Sequence, residues 1–186
     1  MSLNLDSSTL AGHQDTLFGA GDSHLPGDIK VPGSIANLGG GFDTLAVAVQ
    51  LYLRLRLVQV RDDGRAMLTV VSSTPLVRGR NAVERAFDTI VQWTGRLAPS
   101  VFVEVVSEIP MAAGLGSSAA ATVAGLRAFE HVTGPVPEGM LLAVATSLEG
   151  HADNAAAALH GGLTSVVEEE GREPRALRWH WPDEIR

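Results

Sequence analysis

Residues 110–124 read PMAAGLGSSAAATVA, a glycine- and hydroxyl-rich turn that follows the apolar run VFVEVV (101–106) and passes straight into an alanine-rich segment. An apolar strand, a glycine turn and then a helix make the frame of a phosphate cradle. Gly114 and Gly116 let the backbone take positive φ and come close to a ligand, which a Cβ would hinder. Ser117 and Ser118 stand where the helix begins. There the first turn carries unpaired N–H groups and the positive end of the helix dipole, so a polyphosphate can be held largely by main chain. The expected ligand is a nucleoside triphosphate. An ordinary glycine turn with a serine N-cap has the same composition, so the loop alone leaves both readings open. No lysine follows the glycines as in a Walker A loop, and the G-x-G-x-x-G spacing of a dinucleotide fold is missing.

Composition narrows the class. The chain has 186 residues, 45% of them hydrophobic and 19% charged, enough for one sizeable core in one domain. With no cysteine there is neither a disulfide framework nor thiolate chemistry. The apolar stretches are interrupted before they reach membrane-spanning length, and the start MSLNLDSS lacks the pattern of a secretory signal, so a cytoplasmic location without a membrane partner is expected. Formal net charge is −7 and Lys30 is the only lysine. Such a surface repels a nucleic-acid backbone. Phosphates on this protein must be met by N–H dipoles, a divalent cation and a few arginines.

Residues 1–27 mix Gly, Asp, Ser, His and Pro without periodicity and read as a flexible leader. From Asp28 the chain predicts strands: IKVPGSIA, then VAVQLYLRLRLVQV, in which Leu51, Leu53, Leu55 and Leu57 alternate with Tyr52, Arg54 and Arg56. A turn at Asp62, Asp63 and Gly64 leads to MLTVV, expected as the hairpin partner. NAVERAFDTIVQWTG spaces Val83, Phe87, Ile90, Val91 and Trp93 as a helix with Gly95 at its end. Another strand, the loop and three more helices follow, and GLTSVVEE with RALRWHW read as a final strand pair. The expectation is an α+β layer architecture, a mixed or antiparallel sheet with helices on one side.

Two further segments concentrate polar groups. In ANLGGGFD (36–43), Asn37 and Asp43 flank three glycines, a turn that either brings an amide and a carboxylate to one small solute or does Asx-turn work only. EGHADN (149–154) packs Glu149, His151, Asp153 and Asn154 into six residues, costly to bury unless paired or functional. His151 and Asp153, at i and i+2, would point apart on a helix, which disfavours a zinc site, and a solvated helix cap at Asp153 or Asn154 is the structural alternative.

Taken together, VPGSIANLGGGFDTLAVAV (31–49), PMAAGLGSSAA and SLEGHADNAAAALHGGLT (147–164) resemble the three motifs of the GHMP kinases, and the pair ANLGGGFD and EGHADN is most similar to homoserine kinases. The resemblance covers roughly residues 28–182. It implies the amino-terminal domain of that superfamily over 28–186, related in fold to the second domain of ribosomal protein S5, with the carboxy-terminal domain absent. It implies ATP-dependent phosphorylation of the side-chain hydroxyl of L-homoserine, a step in threonine biosynthesis, with ATP and Mg²⁺ as cofactors and a small amino acid as the partner molecule. By the same resemblance Pro110, Gly114, Leu115, Gly116, Ser117 and Ser118 contact ATP, and Asn81 reads the adenine edge or caps its helix. Asn37, Asp43, His151 and Asn154 face the acceptor, and Ser118 with Glu149 holds Mg²⁺. Some homoserine kinases place the metal carboxylate where this chain has Ala143, and the family usually carries proline at Gly40. Asn154 stands where mevalonate kinases carry an aspartate base, so no general base is assigned. A kinase for another small alcohol, or a non-catalytic module of this fold, are the alternatives. Trp179 and Trp181 near the end of the chain lead to the expectation of an exposed apolar face and a homodimer.

Overall fold

The computed structural model describes residues 28–76, 79, 81–169 and 171–179. The leader expected over 1–27 and Trp181 lie outside them. The described chain runs β1 (Asp28–Ala36), β2 (Leu45–Arg61), β3 (Leu68–Thr74), α1 (Ala82–Thr94), β4 (Ser100–Ser107), α2 (Ser117–Thr133), α3 (Glu138–Glu149), α4 (Asp153–His160), β5 (Leu163–Val167) and β6 (Arg175–Trp179). The sheet is mixed, in the order β3-β4-β2-β5-β6 with β1 paired along β2. This is the α+β layer architecture that the sequence predicts.

The long strand β2 organises the sheet because it pairs with β1, β4 and β5, and it alternates strictly from Leu53 to Leu57. Leu53, Leu55 and Leu57 are buried under the helices, while Arg54 and Arg56 lie on the outer face and meet Glu108 and Glu104 at 3.9 and 2.8 Å. Lys30 stands over the Tyr52 ring on that face, 3.6 Å from its centroid. Each fully buried Leu or Val contributes on the order of 1.5–3 kcal/mol.

The expected β2–β3 hairpin is not formed. β3 pairs in parallel with β4, and β4 pairs antiparallel with β2. The reason is burial. Val101, Val103 and Val105 of β4 are almost wholly buried, so β4 takes an interior place between two strands. β3, α1 and β4 then form a parallel crossover unit. The turn at Asp63 is tied to the start of β4 instead, where the Ser100 hydroxyl donates to both carboxylate oxygens at 2.8 and 2.9 Å.

The helices meet at small residues. Phe87 of α1 and Phe129 of α2 pack edge to face at 5.7 Å between centroids. At Gly125 a Cβ would lie 2.2 Å from the Val83 carbonyl oxygen, so the two helix backbones touch there. Val83, Phe87 and Ile90 are core as predicted, but Trp93 is exposed on the far side of α1. Arg127 joins α2, α3 and α4 through Glu130 (2.6 Å), Glu138 (2.9 Å) and the Leu159 carbonyl (3.4 Å). Burial pulls its pKa down, and the hydrogen bonds to Glu130 and Glu138 outweigh that and raise it.

Candidate functional site

Helix α2 begins at the glycine turn. Its N-cap is Gly116 with φ 63°, with no side-chain cap and no acidic residue in the first turn. The N–H groups of that turn are therefore free of side-chain competition, and the dipole favours an anion. Gly114 (φ 70°) and Ala112 (φ 56°) are also left-handed. Gly116 cannot be replaced cheaply, since a Cβ there would sit 2.3 Å from the Ser34 hydroxyl.

Two cavities meet at this turn and share Ser117 and Ser118. The first, about 290 Å³, is largely apolar, with Leu53, Pro75, Val105 and Met111 in its wall and Asn81 and Arg85 at α1. The second, about 210 Å³, is lined by Gly114, Gly116, Ser118, Glu149, His151 and Asn154. A flat apolar body with a charged tail fits the pair, the tail lying on the α2 N-terminus.

Asn81 does cap α1. Its Oδ1 accepts from Val83 N at 3.0 Å, and Glu84 returns the contact by accepting from Asn81 N at 3.0 Å. Only its amide nitrogen remains for the cavity. Glu149, the last residue of α3, accepts from the Ser118 hydroxyl at 3.1 Å and from Thr122 at 2.6 Å. Ser118 and Glu149 thus form a pair of hard oxygen donors beside the loop, the kind Mg²⁺ takes together with phosphate oxygens. Ala143, by contrast, is buried inside α3.

His151 and Asp153 do not point apart. Helix α4 starts at Asp153, so His151 lies in the preceding turn and its Nδ1 comes 2.8 Å from the Asp153 carboxylate. Asp153 is buried and also accepts from Asn154 N at 2.6 Å. The N-cap of α4 is Ala152, so neither Asp153 nor Asn154 caps it. Asn154 reaches the other way, its Oδ1 accepting from Ser34 at 2.8 Å.

Not every expected residue comes together. Pro110 is exposed and lines neither cavity. Asn37 and Asp43 are both exposed and left-handed, at φ 58° and 51°, and the Asn37 side chain accepts from Asp43 N at 2.9 Å. They form one Asx-bridged turn between β1 and β2, outside both cavities. Leu115 contributes its carbonyl, which accepts from Ser34 N at 3.0 Å. Ser34, Thr122 and Met111 were not singled out by sequence reasoning. Only Ser34 had a signal, the Pro-Gly pair inside a strand that marks a bulge.

Residues 81–162 match the GHMP kinases N terminal domain. The chain carries a GHMP kinase N-terminal domain. It is 37% identical over 161 residues to the homoserine kinase of Thermosynechococcus vestitus, which spans 82% of this chain and 50% of that protein. Among solved structures it is similar to the homoserine kinase of Cytophaga hutchinsonii, with TM-score 0.65 and 27% identity over 86% of this chain and 54% of that one. The mevalonate kinase of Methanococcus jannaschii shares the fold at TM-score 0.62 and 14% identity, over 86% and 56% of the two chains. The chain spans about half the length of the curated relatives it matches.

Proposed function

We propose that this chain forms the nucleotide-binding part of an ATP-dependent kinase that phosphorylates the side-chain hydroxyl of homoserine. The observation that carries the reading is the meeting of an apolar and a polar cavity at Ser117 and Ser118, on the uncapped N-terminus of α2. When bound, ATP with Mg²⁺ supplies the phosphoryl group and the cation that offsets its charge. The residues present fit that pair, because the α2 N-terminus carries no side-chain cap and no acidic residue in its first turn, and Ser118 with Glu149 offers hard oxygen donors.

The chain's own groups divide the work. Loop N–H groups from Gly114 to Ser118 hold the phosphates, and Asn81 offers its amide nitrogen to the base. Ser118 and Glu149 hold the metal. Asn154 stands at the floor of the polar cavity and positions the acceptor hydroxyl for in-line attack, and alignment accounts for most of the rate gain in such a reaction. His151 lines the same cavity and faces the amino acid. Asp43 supplies the fixed negative charge for its ammonium. Since Asp43 lies outside the cavity in the Asx-bridged turn, this role requires the 37–43 turn to fold over the acceptor.

The fold alone does not choose the acceptor, since a mevalonate kinase shares it. The choice rests on the relatives named homoserine kinase and on Asp43, which a mevalonate acceptor would not need. The experiment is transfer of labelled γ-phosphate from ATP to homoserine, threonine and mevalonate by the chain. Preference for homoserine, lost in Asp43→Asn through a raised KM with that for ATP unchanged, supports the reading. Preference for mevalonate, or unchanged homoserine kinetics in Asp43→Asn, refutes it.

A further inference from the structure

Ser34 is wholly buried, yet it lies in β1 where simple alternation would turn it outward with Lys30 and Pro32. A bulge accompanies this. The β1–β2 register jumps from Pro32 opposite Tyr52 to Gly33 opposite Val49, leaving Gln50 and Leu51 of β2 unpaired with β1, and just past it Gly33 and Ser34 are both buried and Ile35 is exposed. A bulge re-aims one side chain at the cost of a ladder position, and such devices are placed where a side chain is needed.

What Ser34 meets explains the re-aiming. Its N–H donates to the Leu115 carbonyl in the phosphate loop at 3.0 Å. Its hydroxyl lies 2.8 Å from Asn154 Oδ1 and 3.2 Å from the Asn154 carbonyl oxygen. Both acceptors belong to one residue of α4. Space is tight on every side, because a Cβ on Gly33 would sit 2.9 Å from the Leu115 oxygen and one on Gly116 would sit 3.1 Å from Asn154 Oδ1. Ser34 is thus the point where β1, the phosphate loop and α4 touch.

We infer that Ser34 is the positioning residue for Asn154: its hydroxyl occupies Asn154 Oδ1, fixes the carboxamide's orientation and leaves Nδ2 as the face offered to the polar cavity. A carboxamide presents either an acceptor or a donor to its cavity, and which one it shows is decided by the partner on the other side. With Oδ1 committed to Ser34, Asn154 donates to the oxygen of the acceptor alcohol and does not receive its proton. The same serine holds the loop through Leu115, so the phosphoryl donor and the acceptor are referred to one rigid node. The identity of the acceptor rests on the proposed kinase reading; the orientation of Asn154 does not.

The test has one arm that needs no activity. In the ¹⁵N-labelled chain the Nδ2 protons of Asn154, identified by their loss in Asn154→Ala, are expected at chemical shifts displaced from those of a solvent-exposed carboxamide. Ser34→Ala should move both chemical shifts toward those of a solvent-exposed carboxamide while those of Asn37 and Asn81 stay in place. Ser34→Cys, close in shape and a poor donor, serves if the alanine variant does not fold. An Asn154 pair unchanged in the folded variant overturns the inference. In the second arm, Ser34→Ala should lower phosphoryl-transfer turnover by up to about a hundredfold with little change in the KM for ATP, as a misplaced group does. The double variant Ser34→Ala, Asn154→Ala should be no slower than Asn154→Ala, because Ser34 acts through that residue. Losses that add independently overturn it. If the parent does not bind ATP with Mg²⁺, the kinase reading fails, and the carboxamide signals alone decide the link between Ser34 and Asn154.

Discussion

A single Cβ marks the tightest point of the site. Gly116 combines φ 63° with a neighbour 2.3 Å from any added Cβ, so Gly116→Val is expected to abolish nucleotide binding. Calorimetric titration with ATP and Mg²⁺, run beside circular dichroism to check folding, measures it; a folded variant that binds as the parent does contradicts the cradle. Beside it, Glu149→Gln should weaken binding only when Mg²⁺ is present, because the loss falls on the metal and not on the loop N–H groups. Equal weakening with and without Mg²⁺ would remove Glu149 from the metal site. Away from the site, Asp63 has its pKa lowered chiefly by the Ser100 hydroxyl and then by the Arg65 N–H. A depressed carboxylate pKa stabilises the fold above the unfolded value, near 3.8, and that contribution is lost as pH falls through the folded value. Ser100→Ala should therefore flatten the acid limb of a stability curve below about pH 4, with little change in its slope near neutrality.

Elements were legible where their signals were local. Glycine caps, the Asn81 start of α1 and the strict alternation in β2 are written in adjacent residues, and the structure places them as read. The pairing of β3 was not, because a hairpin and a crossover begin with the same turn. What decides between them is the near-total burial of Val101, Val103 and Val105, which becomes visible only once the sheet is assembled. The Asp153–His151 contact was not legible either: the i, i+2 spacing rule applies inside a helix, and α4 begins two residues after His151. The α1–α2 contact carries a prediction at this scale. Phe129→Ala removes one partner of the edge-to-face pair and should cost about 3–5 kcal/mol of unfolding free energy. Chemical denaturation of the two proteins tests it, and a change below about 1 kcal/mol would mean that the core closes over the gap.

Among the described residues, the helices and the site occupy one face of the sheet, and on the other Arg54 and Arg56 pair with Glu108 and Glu104. The three motifs were legible as motifs, but their convergence was not. Ser34, Gly116 and Asn154 are far apart in sequence and meet only because β1, α2 and α4 close on one point. At the β6 edge Leu177 and Trp179 are half exposed, with the Trp179 ring nitrogen donating to Ser165 at 2.8 Å. Self-association through that edge is expected, and sedimentation that stays monomeric at high concentration would count against it. The claim on which the rest depends is that nucleotide lies across the two cavities on the N-terminus of α2. It is tested most directly by following backbone amide resonances of the labelled chain while ATP and Mg²⁺ are added. The expected result is a saturable shift concentrated in Gly114 to Ala119 and in the cavity wall at Asn81, Val105 and Met111. Shifts confined to the outer face around Tyr52, Arg54 and Glu104, or none at millimolar nucleotide on the order of a weak Kd, would contradict it.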